Sequence, residues 1–134
     1  MKRYTLFCCT IILALVGVSV GQVGGWEDAS VEDNDVMNAA KFATKELNSQ
    51  SDALHHHKLV KIHKAQTQVV SGTNYQVHIE IAPTTCKKSE VSFEDAEKCS
   101  VLIDGVNRLC RVVVWVQPWT SSTKLTEHVC EDIQ

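Results

Sequence analysis

The chain has 134 residues, 22% charged and 44% hydrophobic, with 13 Lys and Arg against 16 Asp and Glu and a formal charge of −3. That length suits one domain, large enough for its own core but modest in stability. A mildly acidic chain lacks the basic footprint expected for nucleic-acid or anionic-membrane partners.

Residues 1–21 read as a secretory signal peptide. Lys2 and Arg3 precede an uncharged apolar run from Leu6 to Val18, and Ser19-Val20-Gly21 is a small-x-small cleavage site. The run is shorter than the ~20 residues of a membrane-spanning helix, and no later stretch is apolar enough to span. The expected mature domain, residues 22–134, is therefore secreted and extracellular. It keeps 11 basic and 16 acidic side chains, a net charge of −5.

Ser30 to about Ser51 predicts a helix. Val36, Ala40, Ala43 and Leu47 recur at steps of four, three and four, and Met37, Ala39 and Phe42 widen that apolar face. Ser30-Val31-Glu32-Asp33 is a start signal with acids where the helix dipole favours them. His55-His56-His57 follows in a polar connection and reads as a solvated loop rather than a metal site.

The period then changes to two. Leu59 to Val70 and Thr73 to Ala82 predict strands; in the second, Tyr75, Val77, Ile79 and Ile81 alternate with Gln76, His78 and Glu80. Ser71-Gly72 supplies the turn between them, with Gly72 at positive φ. Lys87 to Lys98 is polar and reads as a surface excursion. Leu109 to Gln117 and Lys124 to Val129 predict a second strand pair around Pro118-Trp119-Thr120-Ser121-Ser122, where Pro118 ends its strand. His63, His78 and His128 fall in strand patterns as surface residues. Trp26 and Trp115 read as packing residues. One helix and at least four antiparallel strands give an α+β domain, its sheet laid on the helix.

Cys8 and Cys9 lie in the signal segment. Cys86, Cys99, Cys110 and Cys130 remain, an even count that implies two disulfides with three connectivities. Cys110 and Cys130 are symmetric about residue 120, so simple hairpin pairing sets them opposite each other. Cys86 and Cys99 are then left to close the intervening segment. No CxxC or CxxC…HxxxH spacing is present, so a zinc site is not expected; no cofactor is expected.

Val23-Gly24-Gly25, Gln68-Val69-Val70-Ser71-Gly72 and Pro118-Trp119 each suit an exposed arm or turn. None supplies an acid, base, nucleophile or metal ligand. Backbone, Val and Trp without catalytic groups suit a plug for another protein's groove better than an enzyme.

Together with the four cysteines, Val23-Gly24-Gly25-Trp26-Glu27-Asp28-Ala29-Ser30 and Thr84-Thr85-Cys86, these segments resemble the secreted, disulfide-bonded type 2 cystatins over the whole mature region. The resemblance implies a five-stranded antiparallel sheet wrapped around one helix. It also implies tight, reversible inhibition of papain-like cysteine proteases such as cathepsins. The wedge would comprise Val23 and Gly24 as arm, Gln68, Val69, Val70, Ser71 and Gly72 as first turn, and Pro118 and Trp119 as second. The implied pairing is Cys86–Cys99 and Cys110–Cys130. Asp52 in Ser51-Asp52-Ala53 stands where some members carry the Asn of a second, legumain-directed site, so that activity is not expected. A monomer is expected, with hairpin exchange as the route to a dimer. The competing reading is a non-inhibitory, secreted cystatin-fold binding or immune-modulating protein. A secreted hydrolase would need a free Cys or a Ser–His pair.

Overall fold

The computed structural model describes residues 24–133, so the signal-like segment and Val23 lie outside the described residues. The elements run β1 (Glu27–Ala29), α1 (Asn34–Gln50), β2 (His55–Val70), β3 (Gly72–Lys87), α2 (Phe93–Ala96), β4 (Asn107–Gln117), a single 3-10 turn (Pro118–Thr120) and β5 (Ser122–Ile133). The five strands form one antiparallel sheet in chain order. The α+β expectation holds, with α1 as the principal helix.

Helix α1 starts later than the sequence suggests. Asp33 is its cap, and its carboxylate accepts from the backbone N–H of Asp35 at 2.7 Å and of Val36 at 3.4 Å. Ser30 instead closes the turn before the helix, its hydroxyl accepting from the N–H of Glu32 at 3.1 Å. The acids of the start signal therefore straddle the cap rather than fill the first turn. Val36, Ala39, Ala40, Ala43 and Leu47 are buried as the apolar period requires. Three alanines on one face let the helix approach the sheet closely. Opposite them lie Ala65, Val77, Ile79, Ile81, Cys110, Val112 and Val114, the inward set of a period-two pattern.

Both strands of the first hairpin are longer than the sequence pattern indicates. β3 runs through Pro83 to Lys87, and a register shift in β2 between His55 and His57 falls opposite this stretch. The His55-His56-His57 triplet is consequently strand, not solvated loop. Asn48, at the end of α1, fixes it. Its amide nitrogen donates to the carbonyl of His57 at 2.8 Å and its amide oxygen accepts from the His57 N–H at 2.7 Å. His56 is only 6% exposed. Its Nε2 donates to the carbonyl of Val91 at 2.6 Å, and its ring meets Phe93 edge-on. His55 Nδ1 lies 2.9 Å from the carbonyl of Thr84. The His55 and His56 rings contact separate backbone carbonyls, and among the described residues no three metal-ligating side chains converge. Nearby, Lys88 Nζ donates to the carbonyls of Asn48 at 2.6 Å and Ser51 at 2.9 Å, a cation on the carbonyl end of the helix.

The 88–99 excursion is a surface segment as expected, but an anchored one. Ala96 is buried, and the excursion is closed by Cys86–Cys99. Cys110 and Cys130 are direct cross-strand partners and form the second disulfide. A register shift between Val113 and Val114 then moves the hairpin centre by half a residue, from residue 120 toward Trp119.

Candidate functional site

The first turn is tight. Val70 pairs with Gly72 across a single apex residue, Ser71. Gly72 has φ +97°, and a Cβ on it would collide with the backbone carbonyl of Val116 in β4. Both the left-handed backbone and the close strand therefore demand glycine. Val69 is 71% exposed and Val70 is partly exposed beside it. For isolated β-branched residues at a turn this leaves stiff apolar projections in solvent.

The second turn follows from Pro118, whose fixed φ starts the 3-10 turn and whose missing N–H stops β4. Ser121 closes it at φ 52°, its N–H donating to the carbonyl of Pro118 at 3.0 Å. Thr120 Oγ1 braces the same turn against the Gln117 carbonyl at 3.1 Å and Gln117 Oε1 at 2.9 Å. Trp119 stands at its tip, 67% exposed.

The arm joins the first turn. Gln68 Nε2 donates to the carbonyl of Gly24 at 2.8 Å. A Cβ on Gly24 would lie 2.6 Å from the carbonyl oxygen of Val69, so this glycine is needed for contact within the chain itself. Gly24, Gln68 to Gly72, Pro118 and Trp119 thus lie at one end of the sheet, the arm hydrogen-bonded to Gln68 and the second turn tied to Ser71 through Gln117. No side chain among Gln68–Gly72 or Gln117–Ser122 carries a charge.

Some residues at this edge escape a sequence reading. Asn74 Nδ2 donates to Gln68 Oε1 at 3.2 Å. Trp115 Nε1 donates to the carbonyl of Ser71 at 2.9 Å, and Gln117 Nε2 to Ser71 Oγ at 3.1 Å. Trp115 is therefore more than a packing residue. Its parity was the available signal: Val112 and Val114 face inward, so residue 115 faces outward. Trp26, read as packing, is 39% exposed just before β1. Asp52 lies exposed in the α1–β2 connection.

The edge offers shape and backbone, with no acid–base or nucleophilic set. All four cysteines of the described residues are in disulfides. A model described as "Cystatin domain" matches residues 24–119, most of the chain. The chain belongs to the cystatin family. L-cystatin of Tachypleus tridentatus is 55% identical over 133 residues, covering 98% of both chains. Cystatin-C of Bos taurus is 32% identical over 110 residues, covering 82% of this chain and 74% of that protein. Among solved structures, Al-CPI superposes with a TM-score of 0.73 at 34% identity, covering 82% of this chain and all of that one. Dimeric human cystatin F superposes with a TM-score of 0.76 at 25% identity, covering 84% and 90%. Cystatins are inhibitors of cysteine proteases rather than enzymes, and the two disulfides fit an extracellular location.

Proposed function

We propose that this cystatin is a secreted, reversible, non-covalent inhibitor of papain-like cysteine proteases, cathepsins among them. Residues 1–21 act as its secretory signal and residues 22–134 as its inhibitory domain. The observation that carries the reading is the single uncharged edge on which Gly24, Gln68–Gly72 and Pro118-Trp119 lie together, with Val69 and Trp119 projecting. A papain-like protease hides its Cys–His pair in a narrow groove. A plug for it needs stiff apolar projections on a thin edge and no scissile bond in register with the nucleophile. Val69 and Val70 lose little rotamer entropy on docking. Trp119 supplies the large rigid surface that dominates many interfaces. Val23, beyond the described residues, extends the arm along neighbouring subsites. No group on the edge performs chemistry, so occlusion alone inhibits, and a monomer suffices.

The test is a titration of papain and several cathepsins with the mature protein. Competitive inhibition reaching completion at a 1:1 ratio, with the inhibitor recovered uncleaved on dissociation, supports the reading. Failure to inhibit any member of the panel would overturn it in favour of a non-inhibitory binding module.

A further inference from the structure

Resting on that reading, we propose that Trp115 and Gln117 are positioning residues: from β4 they grip Ser71 and lock the first turn to the second, so that both enter the protease groove as one rigid edge.

The grip follows from the sheet register. Gln68 pairs with Asn74, and Asn74 pairs with Trp115, so three side chains form a row across β2, β3 and β4. They share the outer face, because the neighbouring Tyr75 and Val114 are turned toward the helix. At the end of this row the indole N–H reaches over β3 to the Ser71 carbonyl, at 2.9 Å. That carbonyl sits at the apex of a tight hairpin, where the strand ladder has ended.

Gln117 holds both turns at once. Its amide nitrogen donates to Ser71 Oγ at 3.1 Å and lies 3.5 Å from the Ser71 carbonyl. Its amide oxygen accepts from Thr120 Oγ1, which belongs to the 3-10 turn bearing Trp119. Asn74 does the same for the arm, holding the Gln68 amide that donates to Gly24. The hydrogen-bonded path therefore runs from the arm through the first turn to the second.

Such cross-links order the exposed turns before any partner arrives. Docking then avoids the entropy of ordering them, which raises affinity without adding a contact to the protease. A merely packed Trp115 would need its ring but not its N–H. A merely solvated Gln117 would be indifferent to the Ser71 hydroxyl.

The experiment uses the mature protein with Trp115→Phe, Gln117→Leu, Ser71→Ala and the Gln117→Leu/Ser71→Ala double variant. Three quantities are read: the papain inhibition constant, the melting temperature, and amide exchange of Val70, Ser71 and Gly72 in the free protein. Losing one such hydrogen bond should weaken inhibition about three- to tenfold. The expected result is that loss for each of the first two variants, faster exchange confined to the turn, and an unchanged melting temperature. In the Ser71→Ala background, the part of the Gln117→Leu effect owed to the Ser71 hydroxyl should vanish, while the part owed to Thr120 remains, so the two changes should be less than additive. Unchanged inhibition and exchange in both single variants would overturn the inference while leaving the inhibitor reading intact. So would a global loss of stability that accounts for the weakened binding, or additivity in the cycle. A wild type that inhibits no papain-like enzyme would instead overturn the inhibitor reading, and the positioning role with it.

Discussion

On the proposed function, Gly72 and Trp119 divide the edge into a residue that shapes it and a residue that would bind. A side chain at Gly72 meets the Val116 carbonyl and a left-handed backbone together. Gly72→Ala should therefore destabilise the fold by roughly 1–3 kcal/mol, the cost of a strained backbone position, as well as weaken inhibition. Trp119→Ala should behave oppositely. With the indole largely in solvent, the melting temperature should hold, while binding to a papain-like protease falls by roughly 2–4 kcal/mol, mainly through faster dissociation. Inhibition constants and melting curves for the pair check both; a destabilised Trp119→Ala would make Trp119 a core residue. His57 gives a pH prediction. Burial pushes its imidazole below its ordinary 6.5, with the Arg108 and Lys88 cations adding to the effect. The unfolded chain therefore takes up that proton first as pH falls. Stability should be complete above the ordinary value and decline as pH drops below it, before the depressed carboxylates Glu80 and Glu94 protonate. His78 is depressed in the same direction, chiefly by burial and then by Lys64 and Arg111. Denaturant unfolding between about pH 7 and pH 5 should show this loss, smaller in His57→Gln. An equal loss in both proteins would contradict the assignment.

At the scale of elements, what is local in sequence was legible and what depends on distant partners was not. The 3.6-residue period of α1 and the alternation in β3 are local, and the structure bears both out. The symmetry of Cys110 and Cys130 about residue 120 also sufficed, because the register shift at Val113/Val114 falls between the disulfide and the turn. The start of β2 was not legible. His55-His56-His57 has no strand pattern of its own and is held by Asn48, Thr84 and Val91, which no periodicity connects to it. The three segments of the proposed wedge stood out by turn chemistry, whereas the contacts of Trp115 and Gln117 with Ser71 exist only once strand register is set. The two disulfides should differ in consequence. Replacing Cys110 and Cys130 by Ala removes a bridge spanning 20 residues and anchored in the core. It should cost about 2–4 kcal/mol in denaturant unfolding. Replacing Cys86 and Cys99 frees an excursion at the far end of β3, roughly 45 Å along the strand from Gly72 at 3.3 Å per residue. Inhibition should survive that change, and its loss would show that the excursion contributes to the binding edge.

On the proposed function, the whole molecule is a rigid handle behind a small working edge. The long β2–β3 and β4–β5 hairpins carry both turns to the same end of the sheet, while α1 and the core fix the angle between them. The opposite end, with the disulfide-closed excursion, is free of that task. The most direct measurement is amide exchange of the protein alone and in complex with papain. Protection confined to Gly24, the turn at Val69–Gly72 and the turn at Trp119–Ser121 is the result this account predicts. Protection centred on residues 88–106, or inhibition without protection at either turn, would contradict it.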